Sequence, residues 1–96
     1  MEIRERLESL RAQIVKIAEQ HGATDLRVFG SVARRTSDEN SDIDFLVRLR
    51  PGTTLLDQAA LVRELEALLG SKVDVVSERG LRERVRENIL REAIAL

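Results

Sequence analysis

Two segments decide how this sequence folds: Thr24-Asp25-Leu26-Arg27-Val28-Phe29-Gly30-Ser31 and, after ten intervening residues, Asp42-Ile43-Asp44-Phe45-Leu46-Val47-Arg48-Leu49. The first alternates and then stops at a glycine, which reads as a short strand entering a turn. The second is the strongest strand signal in the chain, and Pro51-Gly52 ends it. Successive side chains on a strand point to opposite faces, so Ile43, Phe45 and Val47 share one face and Asp42 and Asp44 share the other. Between them, residues 31–35 have room for a brief helix opening at Ser31, and Thr36 to Ser41 is polar and turn-like, with Asp38, Glu39 and Asn40.

Outward from this centre, helices alternate with strands. Residues 2–21 read as one amphipathic helix, with Ile3, Leu7, Leu10, Ile14 and Ile17 in a stripe and Gly22 as its stop. Thr54 and Asp57 form a capping-box pattern. The Leu55, Leu56, Ala59, Leu61, Val62, Leu65, Leu68 and Leu69 face that follows predicts a well-buried helix closed by Gly70. Residues 72–76 read as a third strand. Residues 81–95 read as a last helix, with Leu81, Val85, Ile89, Leu90 and Ile94 inward. The order α-β-α-β-α-β-α predicts an α/β (α+β) fold, a small mixed sheet packed with helices. A chain of 96 residues fits one domain spanning 1–96.

Composition narrows the function. With 16 Lys+Arg against 17 Asp+Glu, no Trp, no Tyr and two Phe, the chain lacks both the cationic surplus and the stacking rings of a general nucleic-acid binder. It has no Cys and one His, which excludes disulfides, thiolate metal sites and multi-histidine sites. No apolar run approaches the roughly 18 residues of a membrane span and no signal-peptide pattern opens the chain, so a cytoplasmic protein is expected.

Asp42 and Asp44 project side by side, about 7 Å apart along a strand. Paired carboxylates repel unless a cation lies between them, and oxygen ligands of this kind suit Mg²⁺, which completes its shell with water and phosphate. The plain alternative is a solvated acidic pair beside a turn. Asp74 stands alone in Lys72-Val73-Asp74-Val75-Val76, where aspartate is unusual. If that strand lies beside residues 42–47, a third carboxylate joins the same face, and three carboxylates around one or two divalent ions would make a phosphoryl-transfer site; otherwise Asp74 is an edge residue facing water. Gly30-Ser31 at a strand-to-helix turn lets the backbone approach a phosphate and adds N–H and hydroxyl donors. Arg34 or Arg35 could reach triphosphate oxygens. Arg27, Arg48 and Arg50 read as surface residues, the charges of the last helix as a solvated face, and His21 as a helix-end residue.

Gly30-Ser31, then Asp42-Ile43-Asp44, then Asp74 in a later strand resembles the DNA polymerase beta-like nucleotidyltransferase superfamily. Phe29-Gly-Ser-Val-Ala-Arg-Arg, Ser41-Asp-Ile-Asp-Phe-Leu-Val, Val73-Asp-Val-Val and Ile89-Leu-Arg-Glu-Ala-Ile are similar to its smallest members, the minimal (MNT, or MntA-like) nucleotidyltransferases. The resemblance implies that Asp42, Asp44 and Asp74 hold one or two Mg²⁺ ions, with Asp74 helping to activate the acceptor. It implies that Gly30 and Ser31 bind the β- and γ-phosphates of a nucleoside triphosphate. It further implies an antitoxin that transfers AMP from ATP onto a tyrosine of a partner HEPN-domain toxin, releasing pyrophosphate. The chain has no room for a second substrate-binding domain, so a bare module of this kind borrows its acceptor from a partner. Two alternatives stand beside it: an antitoxin that acts by binding alone, and a small-molecule nucleotidyltransferase of the aminoglycoside-modifying kind.

Overall fold

The computed structural model describes residues 2–38 and 40–96; Met1 and Glu39, the latter within the expected turn, lie outside the described residues. Strand β1 (Ala23–Phe29) leads through a one-turn helix α3 (Ser31–Arg34) to β2 (Ile43–Leu49). The short connection lets β2 return antiparallel to β1. Strand β3 (Val73–Ser77) runs parallel to β2. A parallel neighbour needs a crossover, and α4 (Leu55–Leu69) supplies it. The Thr54–Asp57 capping box is formed in both directions, and Gly70 closes the helix in the left-handed conformation. The sheet order is β3-β2-β1-β4, where β4 (Ile94–Ala95) pairs antiparallel with β1.

The core lies on one face of this mixed sheet. Ile43, Phe45 and Val47 of β2 and Val73 and Val75 of β3 are buried. They join one cluster with Leu7, Ile14 and Ala18 from the N-terminal helices and Leu61, Leu65 and Leu69 from α4. Alternation sends Asp44, Leu46 and Arg48 to the opposite face. Leu46 is fully buried yet stands outside the main cluster, so this second face is covered as well. Helix α5 (Glu83–Glu92) is tied toward it by two ion pairs, Arg86 to Glu78 at 3.7 Å and Arg34 to Glu92 at 2.6 Å.

Three expectations are corrected. The first helix is two, α1 (Ile3–Ser9) and α2 (Arg11–Gln20), broken at Leu10. The Ser9 hydroxyl donates to the Arg6 carbonyl, and this back-bonding bends a helix. The apolar face of α4 is narrower than its composition implies: Leu61, Leu65 and Leu69 are buried with Val62 and Leu68 packed beside them, while Leu55 and Leu56 in the first turn are 83% and 81% exposed. The last helix runs over Glu83–Glu92 with no buried residue, and Ile94–Ala95 leave it to pair with the edge of β1. There they satisfy backbone groups that β1 would otherwise leave open. Among the described residues, no helix is long and apolar enough to cross a membrane.

Candidate active site

The sheet topology brings the sequence motif to one end. Phe29, the last residue of β1, pairs with Asp44 near the start of β2. Asp44 in turn lies directly opposite Asp74 near the start of β3. Parallel strands in register present opposed residues on the same face, so the two carboxylates are neighbours. Asp42 comes just before β2, two residues from Asp44. Asp42 and Asp74 are exposed and Asp44 is half-buried between them.

Gly30 shapes the other wall. It adopts φ 71°, ψ −147° before α3, a region that favours glycine. A Cβ at this position would collide with the Asp44 carboxylate. The Asp44 carboxylate thus rests against bare backbone at the point where the chain enters α3. Ser31 opens that helix, half-buried, and Val32 behind it is wholly buried and anchors the turn.

Burial raises the Asp44 pKa above the ordinary carboxylate range, and the Asp74 and Asp42 carboxylates raise it further. Arg34 opposes the shift and Glu92 adds to it, so both lie within electrostatic reach of Asp44. Arg34 Nη1 donates to Glu92 Oε1 at 2.6 Å. Arg35 departs from Arg34: it caps α3 in the left-handed conformation, at φ 61°, and lines a separate cleft with Arg6 and Asp38.

Among the described residues, no three His, Cys, Asp or Glu side chains converge into a self-contained metal cage. The donor set is instead an open one: carboxylates on two adjacent strands that raise the pKa of their most buried member. That chemistry fits a hard divalent cation such as Mg²⁺, which takes one or two carboxylates and fills its shell with water and phosphate oxygens.

Other residues read from sequence fall elsewhere. His21 ends α2 and bonds Glu64 of α4, which joins two helices on the core side. Arg27 is not a surface residue. Its side chain is 17% exposed and donates to Glu78 at 2.8 Å. Glu78 also accepts from Arg48 at 2.9 Å. Glu92 is the site neighbour that the sequence concealed. Alternating Glu and Arg on an exposed helix predicts a solvated face, and only the Glu92-Ala93-Ile94 stretch, where the helix gives way to a strand, sets this carboxylate apart.

Residues 3–96 match the family model described as nucleotidyltransferase domain. The chain belongs to this nucleotidyltransferase family. It is 37% identical over 91 residues to the protein adenylyltransferase MntA of Thermococcus cleftensis, covering 94% of this chain and 92% of that one. A solved structure described as a candidate minimal nucleotidyltransferase superposes with a TM-score of 0.87 at 53% identity, over 96% of this chain and 94% of that chain. A crystal structure of a toxin-antitoxin with AMP-PNP superposes with a TM-score of 0.75 over 88% of this chain and 69% of that chain; at 23% identity the likeness is one of fold. The chain is therefore a nucleotidyltransferase in a mixed α/β fold shared with the minimal members, as its motifs predict.

Proposed function

We propose that this nucleotidyltransferase is a Mg²⁺-dependent protein adenylyltransferase working as the antitoxin of a toxin-antitoxin pair. Its substrate is ATP and its acceptor a tyrosine hydroxyl of a HEPN-domain partner. Residues 1–96 act as a single catalytic module. The observation that carries the reading is the alignment of Asp44 with Asp74 across β2 and β3, against the backbone of Gly30. The relatedness to a protein adenylyltransferase over nearly the whole chain supports the choice of reaction.

In the proposed roles, Gly30 and Ser31 hold the β- and γ-phosphates through backbone N–H groups and the hydroxyl. Arg34 adds a charge-assisted contact to the triphosphate. Asp42, Asp44 and Asp74 would hold Mg²⁺, which offsets charge on the triphosphate and polarises the α-phosphate. Asp74 draws the proton from the acceptor hydroxyl as its oxygen attacks the α-phosphorus. The new bond joins the acceptor oxygen to the α-phosphorus, the bond between the α-phosphorus and the bridging oxygen breaks, and pyrophosphate departs with that electron pair. The acceptor tyrosine comes from the partner, since residues 1–96 contain no Tyr.

The test is transfer of label from α-labelled ATP to protein in the presence of Mg²⁺ and the cell's own lysate. A labelled band that disappears in Asp44→Asn and Asp42→Asn supports the reading, with activity expected to fall about a hundred- to a thousandfold, the scale of losing a group that stabilises transition-state charge. Label that persists in both variants rejects it. Neutralisation of the partner without any label would select the antitoxin that works by binding.

A further inference from the structure

Arg34, assigned above to the triphosphate, is not held by its own helix. It ends the four-residue α3, while Glu92, its partner, ends α5. Their bond is short, at 2.6 Å, and joins opposite charges. The two ends differ in freedom: the Glu92 side chain is 24% exposed and that of Arg34 is 56% exposed. The carboxylate is therefore the fixed end and the guanidinium the reaching end.

The fold explains why Glu92 is fixed. Directly after it the chain leaves the helix at Ala93, whose backbone is extended (φ −63°, ψ 139°) while its N–H still donates to the Ile89 carbonyl. Ile94 and Ala95 then pair with Val28 and Arg27 of β1. The Leu96 N–H donates to the Leu26 carbonyl. Strand β1 is the strand that ends in Phe29-Gly30, so the element carrying Glu92 is docked on the element that carries the glycine turn. The Arg34 N–H donates to the Gly30 carbonyl at 3.1 Å, and the Asp44 carboxylate lies against Gly30, which sets the pair beside the acidic end of the sheet.

A guanidinium presents five N–H donors in a planar fork. Glu92 engages Nη1, and among the described residues the rest of the Arg34 fork meets no other side-chain acceptor. A long side chain held at one edge loses less freedom when its other edge binds an anion. We propose that Glu92 is a positioning residue for the nucleotide: it fixes one edge of the Arg34 guanidinium so that the other faces the phosphates of a nucleoside triphosphate at the Gly30–Asp44 end of the sheet. This inference rests on the nucleotide reading given above.

The experiment is calorimetric titration of the intact chain with AMP-PNP and Mg²⁺. It compares the native protein with Glu92→Ala, Glu92→Gln, Arg34→Ala and the double variant Arg34→Ala/Glu92→Ala. Glu92→Ala is expected to weaken binding about tenfold, the scale of one charge-assisted hydrogen bond. Arg34→Ala should weaken it at least as much, and the double variant no further than Arg34→Ala alone, because the carboxylate acts through the arginine. Glu92→Gln keeps an acceptor oxygen and should restore part of the affinity; it also carries the test if Glu92→Ala does not fold. Native-like binding by both Glu92 variants overturns the inference while leaving the nucleotide reading intact. So does an equal loss from Glu92→Ala with and without Arg34. Absence of binding by the native chain overturns the nucleotide reading and the inference together.

Discussion

At Gly30 the space that any side chain would need is taken by the carboxylate of Asp44. The positive φ of 71° disfavours other residues independently. Gly30→Ala therefore does two things: it strains the turn and pushes Asp44 off its seat. The strain is expected to cost about 1–3 kcal/mol of stability, which thermal unfolding would register. The displacement of a reacting group by around 1 Å is expected to lower nucleotide transfer about a hundredfold, read in the labelling assay on protein still folded. Individual residues of this site were legible in the sequence because they are exceptions to local rules. Asp74 is an acid in an apolar strand, and Asp42 and Asp44 share a strand face. Glu92 breaks no local rule, since glutamate belongs on an exposed helix, and its role comes from Arg34, 58 residues away.

Among the elements, the outer face of the sheet is organised around Glu78, in the 3-10 turn (Glu78–Gly80) that follows β3. Its carboxylate receives Arg48 from β2 and Arg27 from β1 and pairs with Arg86 of α5, so one side chain joins four elements. Hydrogen bonds from Arg48 and Arg27 hold the Glu78 pKa below the usual glutamate range. The folded value is thus lower than the unfolded one. The stabilisation is present above the unfolded value of about 4.3 and is lost as pH falls through the depressed folded value. Glu78→Gln should lower stability near pH 7 by roughly 1 kcal/mol, since it weakens the hold on Arg27, whose buried Nε already has no partner. Denaturant titrations at pH 7 and in the acid range should show the difference shrinking below the folded value. The elements themselves were readable where a local signal ends them: Gly70 and the Thr54–Asp57 box bound α4 as expected. They were not readable where packing decides. The break at Leu10, the exposure of Leu55 and Leu56, and the change from helix to strand after Glu92 depend on which faces meet the sheet.

For the molecule as a whole, activity and stability pull against each other at Asp44. Burial and its acidic neighbours raise its pKa, so the ionised form is disfavoured in the fold. A raised folded value means that this group's stabilising contribution is complete below the unfolded carboxylate value and is lost as pH rises through the folded one. At neutral pH the ionised group therefore costs stability. Asp44→Asn should raise the melting temperature of the metal-free protein at pH 7. Because the group is partly exposed, solvent screening holds the gain to about 0.5 kcal/mol, or about 2–4 °C in a chain of this size. Mg²⁺ should raise the melting temperature of the native protein and have little effect on Asp44→Asn; scanning calorimetry with and without the ion reads both. The sequence by itself determined the family motif, the alternation of helices and strands, and the residue types able to do phosphoryl chemistry, because those are properties of spacing along the chain. Only the tertiary structure decided that Asp74 lies opposite Asp44, that β4 closes the edge of β1, and that Glu92 reaches Arg34. Each of these is a contact between segments far apart in sequence, chosen by strand register and burial, which local pattern does not encode.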